Sequence, residues 1–275
     1  MPIDGKALAK KIIDRLKAEP APKKIFAAVL VGDDPASLNF LRQKEKTAKE
    51  LGVDYRLYNF SAELKNNELR RKVGELALSK SVGGIIVQLP LPEHINKHYI
   101  LNVIPREKDI DVLGERALGA FYVDRNPVLP PAAGTVEEIL RANNFELTTK
   151  TVAVVGLGLL VGKPIANWLS RKARTLYLLR QGSDFGVLRE ADLVISGTGS
   201  PGLIKPTELK PGAGVIDFGY FWGGEGKISG DLDMSDQALD KLGFYTPTPG
   251  GTGPVLVAKL FENFYSLTKD KKAIR

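Results

Sequence analysis

Cysteine is absent from the 275-residue sequence, and histidine occurs only twice, at His94 and His98. The first absence excludes disulfides, thiolate metal sites and a cysteine nucleophile. The second leaves too few imidazoles for a histidine-built zinc centre, so no metal is expected. No run of 18 apolar residues occurs, and no membrane span is expected. The stretch Met1-Pro2-Ile3-Asp4-Gly5-Lys6 lacks the apolar core of a signal peptide. These absences together point to a metal-free cytoplasmic protein.

What is present is a folded-protein composition, 43% hydrophobic and 26% charged, in a chain long enough for one large domain or two ordinary ones. Lysine and arginine total 39 against 32 acidic residues, a net charge of +7. The excess is either a solvated basic surface or an attractor of small anions to a cleft. It is spread along the chain, apart from a short cluster at Lys269-Asp270-Lys271-Lys272. With no concentrated patch and no aromatic-basic motif, nucleic acid is not an expected partner.

Apolar patterning predicts two β-α-β series. In the first, Ala7 to Lys17 reads as an amphipathic helix and Ile25 to Val31 as a buried strand. A helix follows from Ser37 to Leu51, with Ser37 as its expected N-cap. Tyr55 to Phe60 is a second strand, Asn67 to Ser79 a helix, and Gly84 to Gln88 a third strand stopped by Pro90 and Pro92. Proline density between Asp124 and Pro131 marks a crossing between lobes, and Thr135 to Asn143 reads as a helix. The second series has strands at Thr151 to Val155, Thr175 to Leu179, Leu193 to Ser196 and Gly214 to Asp217. A last helix is expected from Val255 to Leu267. The predicted fold is two-lobed α/β, with a parallel sheet in each lobe and functional loops at the strand C-termini. Residues 1–133 form the expected first domain and 134–254 a Rossmann-like second, with 255–275 packing back on the first.

Strand Val152 to Val155 runs into Gly156-Leu157-Gly158-Leu159-Leu160-Val161-Gly162-Lys163-Pro164 and then a helical pattern through Leu169. Strand, glycine turn and helix in that order make an anion site, because the turn admits phosphate and the helix start offers unpaired amides. The spacing is G-x-G-x-x-x-G, and its context makes it a dinucleotide loop. Gly156, Leu157, Gly158, Val161, Gly162 and Pro164 are its candidate contacts, with Thr198 and Gly199 in the loop after a later strand. An NAD site carries an acidic residue at the end of the next strand. Here that position reads Leu179-Arg180-Gln181-Gly182-Ser183, where Arg180 and Ser183 suit a 2′-phosphate. NADP is favoured, and NAD remains open.

Three strings in the first half carry the substrate side: Val31-Gly32-Asp33-Asp34-Pro35-Ala36-Ser37 with its helix to Lys44, Val87-Gln88-Leu89-Pro90-Leu91-Pro92, and Lys108-Asp109-Ile110-Asp111. A fourth, Pro249-Gly250-Gly251-Thr252-Gly253-Pro254, lies near the end. Together they resemble the methylenetetrahydrofolate dehydrogenase/cyclohydrolase family, in order, from Ile3 to Asn263. The resemblance implies oxidation of methylenetetrahydrofolate with NAD(P), hydrolysis of methenyltetrahydrofolate, and a homodimer. It implies that Lys44 is the catalytic lysine, Gln88 its partner and Asp111 the carboxylate that grips the pterin. Ser37, Phe40, Leu89, Pro90, Pro249, Gly250, Gly251 and Pro254 are the implied substrate contacts. On its own, Lys44 would read as one more lysine on a helix face, whereas Gln88 stands out as a polar residue closing an apolar strand.

The departures from the family pattern cluster at these positions. The tyrosine four residues before the lysine is Phe40, which keeps an aromatic face and loses a hydroxyl. The family's P-C-T-P-x-G is Leu129-Pro130-Pro131-Ala132-Ala133-Gly134, and its K-D-V-D-G-F is Lys108-Asp109-Ile110-Asp111-Val112-Leu113. Its G-R-S loop is Gly156-Leu157-Gly158, without the residues that hold a 2′-phosphate. The alternatives are a non-catalytic or dehydrogenase-only relative, and a two-lobed dehydrogenase for a non-folate substrate such as a shikimate.

Overall fold

The computed structural model describes residues 1–223 and 228–269. In chain order the helices and strands are α1 Gly5–Lys17, β1 Ile25–Val31, α2 Pro35–Leu51, β2 Tyr55–Phe60, α3 Asn66–Leu78 and β3 Val82–Val87. Then come α4 Lys97–Leu101, α5 Glu115–Tyr122, α6 Pro131–Ala142, β4 Thr151–Val155, α7 Gly162–Leu169 and β5 Thr175–Leu179. The chain continues through β6 Leu193–Ser196, β7 Gly214–Asp217, β8 Phe221–Trp222, β9 Ile228–Ser229, β10 Phe244–Tyr245 and α8 Thr252–Thr268. The fold class is mixed α/β with parallel sheets, as the alternating pattern requires.

The chain divides into two compact units. The first, called here the lysine unit, comprises Lys11–Pro131 and Val257–Arg275, of which 270–275 lie outside the described residues, as does part of the Lys269–Lys272 cluster. Its parallel sheet has the order β2-β1-β3. β1 is the centre and is buried at every position, which explains its unbroken apolar sequence. Asp109 extends the sheet through a bridge to Ile85, with the Ile85 amide donating to the Lys108 carbonyl at 2.8 Å. Phe261 and Phe264 of α8 pack on Phe26 with ring centroids 5.1 and 5.2 Å away. The Asn263 side chain donates to the carbonyls of Ile110 and Leu129. Gly84 makes room for this helix, since a Cβ there would stand 2.8 Å from the Phe264 ring. The strand expected to start at Gly84 begins at Val82, so Gly83 and Gly84 both lie inside β3.

The second, the glycine-loop unit, comprises Met1–Lys10 and Ala132–Leu256. Its five strands, all parallel, have the order β10-β7-β6-β4-β5. β4 leads to β5 on one side and the chain then crosses to β6 on the other, so the sheet switches direction between β4 and β6. Such a switch opens a crevice at the strand C-termini. The amino-terminal residues join the far edge: the Ile3 amide donates to the Tyr245 carbonyl at 2.7 Å and the Tyr245 amide to the Met1 carbonyl at 3.0 Å. The core gathers Ala153, Val155, Val194, Val215, Ile204 and Leu232 under the sheet. β8 and β9 form a short antiparallel pair.

The start of α2 corrects the sequence reading. Asp34, not Ser37, is the N-cap: its carboxylate accepts from the Ser37 amide at 2.7 Å, and Pro35 opens the first turn. Proline suits that position because its missing N–H would be unpaired there. Ser37 is instead buried within the first turn of the helix.

Candidate functional site

In the lysine unit, α2 follows β1 and carries Lys44 on its buried face, beside Leu41 and Ala48. Gln88 stands one residue beyond β3, its amide bonded to the Val29 carbonyl at 2.8 Å. That bond fixes the end of β3 against β1, where this sheet also changes direction. The Lys44 Nζ donates to Gln88 Oε1 at 2.7 Å, and the Gln88 amide group donates to its neighbour Leu89 at 2.9 Å. Both hydrogen-bonding ends of Gln88 are thus committed, which locks the amide orientation and with it the lysine. Leu89-Pro90 is a cis bond immediately after.

Asp111 completes the group. Lys44 is 7% exposed, and burial lowers its pKa to about 8, with the Asp111 charge acting in the opposite sense. Asp111 is pushed up to about 6 by burial, opposed by Lys44 and reinforced by Asp109. At neutral pH the lysine is therefore close to releasing its proton while the carboxylate remains charged. Phe40 lies one turn before Lys44 and is half-buried.

Asp109, which the sequence reading passed over, shapes the turn behind Asp111. It is buried, and its Oδ2 accepts from the amides of Leu113 and Gly114 at 3.0 and 2.8 Å. Burial raises its pKa against the pull of these amides. The turn it closes contains Val112 at φ +57°, a left-handed conformation that β-branched residues rarely adopt. The available signal was the alternation of two acidic residues with an apolar one in Asp109-Ile110-Asp111.

In the glycine-loop unit, the turn after β4 is closed by backbone. The Gly156 amide donates to the Leu179 carbonyl at 2.9 Å, and Gly156 has φ +85°. A Cβ on Gly162 would lie 1.8 Å from the Gly156 carbonyl oxygen, so the turn is too tight there for any side chain. Gly158 is exposed and open, with nothing within 4 Å of a Cβ. Leu157 is half-buried, Val161 is the N-cap of α7, and Pro164 is buried in its first turn. The α7 amino terminus thus follows directly on a turn that Gly156 and Gly162 close backbone to backbone, an arrangement that fits a pyrophosphate.

At the end of β5, Arg180 is exposed and forms a tight turn with Ser183. The Arg180 amide donates to Ser183 Oγ and the Ser183 amide to the Arg180 carbonyl, both at 3.0 Å. Thr198 and Gly199 follow β6, beside the glycine turn: a Cβ on Gly156 would meet Thr198 Cγ2 at 2.8 Å. Pro249, Gly250, Gly251 and Pro254 belong to this unit as well, not to the unit of Lys44. Thr248-Pro249 is cis, Gly250 has φ +104°, and a Cβ on Gly5 would lie 1.7 Å from the Gly251 carbonyl oxygen.

Two buried carboxylates here escaped the sequence reading. Asp217 closes β7 and Asp231 follows β9; they are 1% and 0% exposed. Asp217 had a local signal, a charged residue ending an apolar strand. Asp231 had none, because its partners lie about 30 residues away in sequence. Among the described residues no cluster of His, Cys, Asp or Glu suits a metal, and no helix is long and apolar enough to cross a membrane.

A family profile described as tetrahydrofolate dehydrogenase/cyclohydrolase, catalytic domain, matches residues 3–111, and its NAD(P)-binding domain profile matches 130–272. A curated relative, the bifunctional protein FolD of Bacillus licheniformis, is 34% identical over 270 residues, covering 95% of this chain and 94% of its own. The crystal structure of the bifunctional FolD methylenetetrahydrofolate dehydrogenase/cyclohydrolase of Campylobacter jejuni is similar with a TM-score of 0.92 at 33% identity, covering 98% of each chain. The Trypanosoma brucei enzyme, solved with NADP cofactor and inhibitor, gives 0.92 at 30% identity, over 98% of this chain and 97% of that one.

Proposed function

This chain belongs to the tetrahydrofolate dehydrogenase/cyclohydrolase family, and from that premise we propose that it catalyses two consecutive reactions on one-carbon tetrahydrofolates. It oxidises methylenetetrahydrofolate to methenyltetrahydrofolate with NAD(P), and it hydrolyses methenyltetrahydrofolate to 10-formyltetrahydrofolate. The observation that carries the reading is the buried Lys44–Gln88 hydrogen bond within reach of the Asp111 charge.

In hydrolysis, Lys44 is the base. With a pKa of about 8, roughly a tenth of it is neutral at pH 7. The neutral amine takes a proton from water as the water oxygen bonds to the methenyl carbon. The adduct then breaks its bond to N5, the hydroxyl proton passing to that nitrogen, and the formyl group stays on N10. Lys44 returns its proton to solvent, which accounts for the one proton the reaction releases. Gln88 accepts from Lys44 and so aims it. Asp111, charged above pH 6, accepts two N–H bonds from the pterin, a fixed two-point grip. Phe40 offers an aromatic face to the pterin, and Ser37, Leu89, Pro90, Pro249, Gly250, Gly251 and Pro254 are the further substrate contacts proposed.

The dinucleotide is proposed to bind at Gly156, Leu157, Gly158, Val161, Gly162, Pro164, Thr198 and Gly199. When bound it supplies the hydride acceptor. Folate nitrogen lone pairs stabilise the cation that hydride loss leaves, so these residues orient rather than transfer protons. NADP is the proposed cofactor, with NAD as the alternative: Arg180 is an exposed cation at the end of β5, and Ser183 retains a hydroxyl proton to donate. The proposed assembly is a homodimer and the proposed compartment the cytoplasm, which fits a chain without cysteine.

The test is steady-state oxidation of methylenetetrahydrofolate with NAD and NADP in parallel. Turnover with NADP exceeding that with NAD is expected. No turnover with either would remove the dehydrogenase reading.

A further inference from the structure

Asp231 sits where three segments of the glycine-loop unit meet. Its Oδ2 accepts from the Ser196 hydroxyl at 2.6 Å and the Thr198 amide at 2.7 Å, and its Oδ1 accepts from the Ser200 amide at 2.8 Å. Three donors from the end of β6 and the loop after it therefore end on one carboxylate. Asp217 mirrors it from the next strand, accepting from the amides of Gly219 at 2.6 Å and Leu232 at 3.0 Å. Each carboxylate lies over a glycine beside the other: a Cβ on Gly219 would stand 2.4 Å from Asp231 Oδ1, and one on Gly230 would stand 2.0 Å from Asp217 Oδ2. No side chain larger than hydrogen fits at either place.

The clasp reaches the two loops this unit contributes to the proposed chemistry. Thr198 packs against Gly156, and a Cβ on Gly197 would meet Val161 Cγ1 at 2.7 Å, so the segment Asp231 holds forms one wall of the glycine turn. On the other side, the Asp217 backbone carbonyl accepts from the Thr252 hydroxyl at 2.8 Å, and its amide donates to the Thr246 hydroxyl at 2.7 Å. Those threonines bracket the Pro249–Gly251 turn. The Asp231 carboxylate thus holds one side of the strand-end crevice, and the backbone of Asp217 holds the other.

We propose that Asp231, backed by Asp217, is the positioning residue of the dinucleotide site: it sets the backbone of Gly197–Ser200 against the glycine turn and thereby fixes dinucleotide affinity. The inference rests on the dinucleotide half of the function proposed above. Burying an unpaired carboxylate is costly, and the fold tolerates these two because backbone amides and a hydroxyl are arrayed around them. Such second-layer carboxylates act through the groups they orient.

The test uses the whole chain and two readouts. Titration calorimetry with NADP and with NAD gives the dinucleotide Kd, and decay of methenyltetrahydrofolate absorbance gives hydrolysis, which needs no dinucleotide. Asp231→Asn can accept on only one atom and should raise the Kd about tenfold, with the same rise in dinucleotide KM. Hydrolysis and folate KM should stay within about twofold of the parent, a split that general loosening would not produce. Ser196→Ala removes one donor and should raise the Kd about threefold; it decides the matter should Asp231→Asn fail to fold. A Kd unchanged in the folded variants, or equal losses in both readouts, overturns the proposal. If the parent chain binds neither dinucleotide, the functional reading itself falls and this inference with it.

Discussion

In the lysine unit, the candidate chemistry sits in three side chains, Lys44, Gln88 and Asp111, whose charges and hydrogen bonds act on one another. In the glycine-loop unit it sits in backbone: a turn closed at Gly156 and Gly162, a helix start, and loops pinned by buried carboxylates. Both units place these features after parallel strands, where the sheet order reverses. The same topology therefore serves two different demands. A cationic methenyl carbon needs a group that gives and takes a proton, which backbone cannot do. A pyrophosphate needs several donors at once and close approach, which bare backbone supplies best. The two units should therefore fail in opposite ways: one when a side chain is removed, the other when one is added.

The largest effect is expected from removal. Lys44→Met should lower methenyltetrahydrofolate hydrolysis about a thousandfold, within the range for losing a general base, while leaving measurable hydride transfer. Undiminished hydrolysis in the folded variant would refute the lysine assignment. The opposite failure comes from one added methyl. Gly162→Ala places a Cβ 1.8 Å from the Gly156 oxygen and should weaken dinucleotide binding about a hundredfold. Hydrolysis should change less than about twofold; if both fall together, the two units are not separable in function.

A third effect concerns pH. Because Lys44 has a pKa lowered to about 8, its neutral fraction grows as pH rises, and hydrolysis should climb about tenfold from pH 7 to 9 before levelling. On the other side, Asp111 protonates as pH falls through about 6, so folate KM should rise below that point. The glycine-loop unit contributes no such slope to dinucleotide affinity between pH 7 and 9, and calorimetry at the two values checks the contrast. The smallest effect is expected at Gly158→Ala. No protein atom lies within 4 Å of that Cβ, so the melting temperature should not change measurably, and any rise in dinucleotide Kd reports the ligand's own approach to that position.

The unequal legibility of the sequence follows the same line. Strands such as Ile25–Val31 and Thr151–Val155 were readable to the residue, because a parallel strand buried on both faces is an unbroken apolar run. The short helices α4 and α5 were missed: five and eight residues give too few turns for an apolar stripe to repeat. Lys44, Gln88 and Asp111 were found through the strings around them, and the structure brings them together across α2, β3 and the Asp109 bridge. Burial, which lowers the Lys44 pKa, is a tertiary property, and the sequence alone left Lys44 an ordinary surface lysine. Asp231 shows the limit most plainly. Its neighbours Gly230 and Leu232 say nothing locally, and the contacts that define it, to Ser196, Thr198 and Ser200, arise only when the sheet assembles.

Val112 carries a consequence for how a ligand meets the protein. A left-handed backbone costs a residue with a Cβ about 1–2 kcal/mol, and the family string that this chain resembles has glycine at the position. Valine there is fully buried and has two γ-methyl groups that leave it little rotational choice, with Asp109 tying the same turn from behind. The strain is borne in the folded state before any pterin arrives. The backbone that carries Asp111 is accordingly fixed in advance, and binding has less disorder to remove. Folate association should therefore carry a smaller entropic penalty than it would with glycine at this turn.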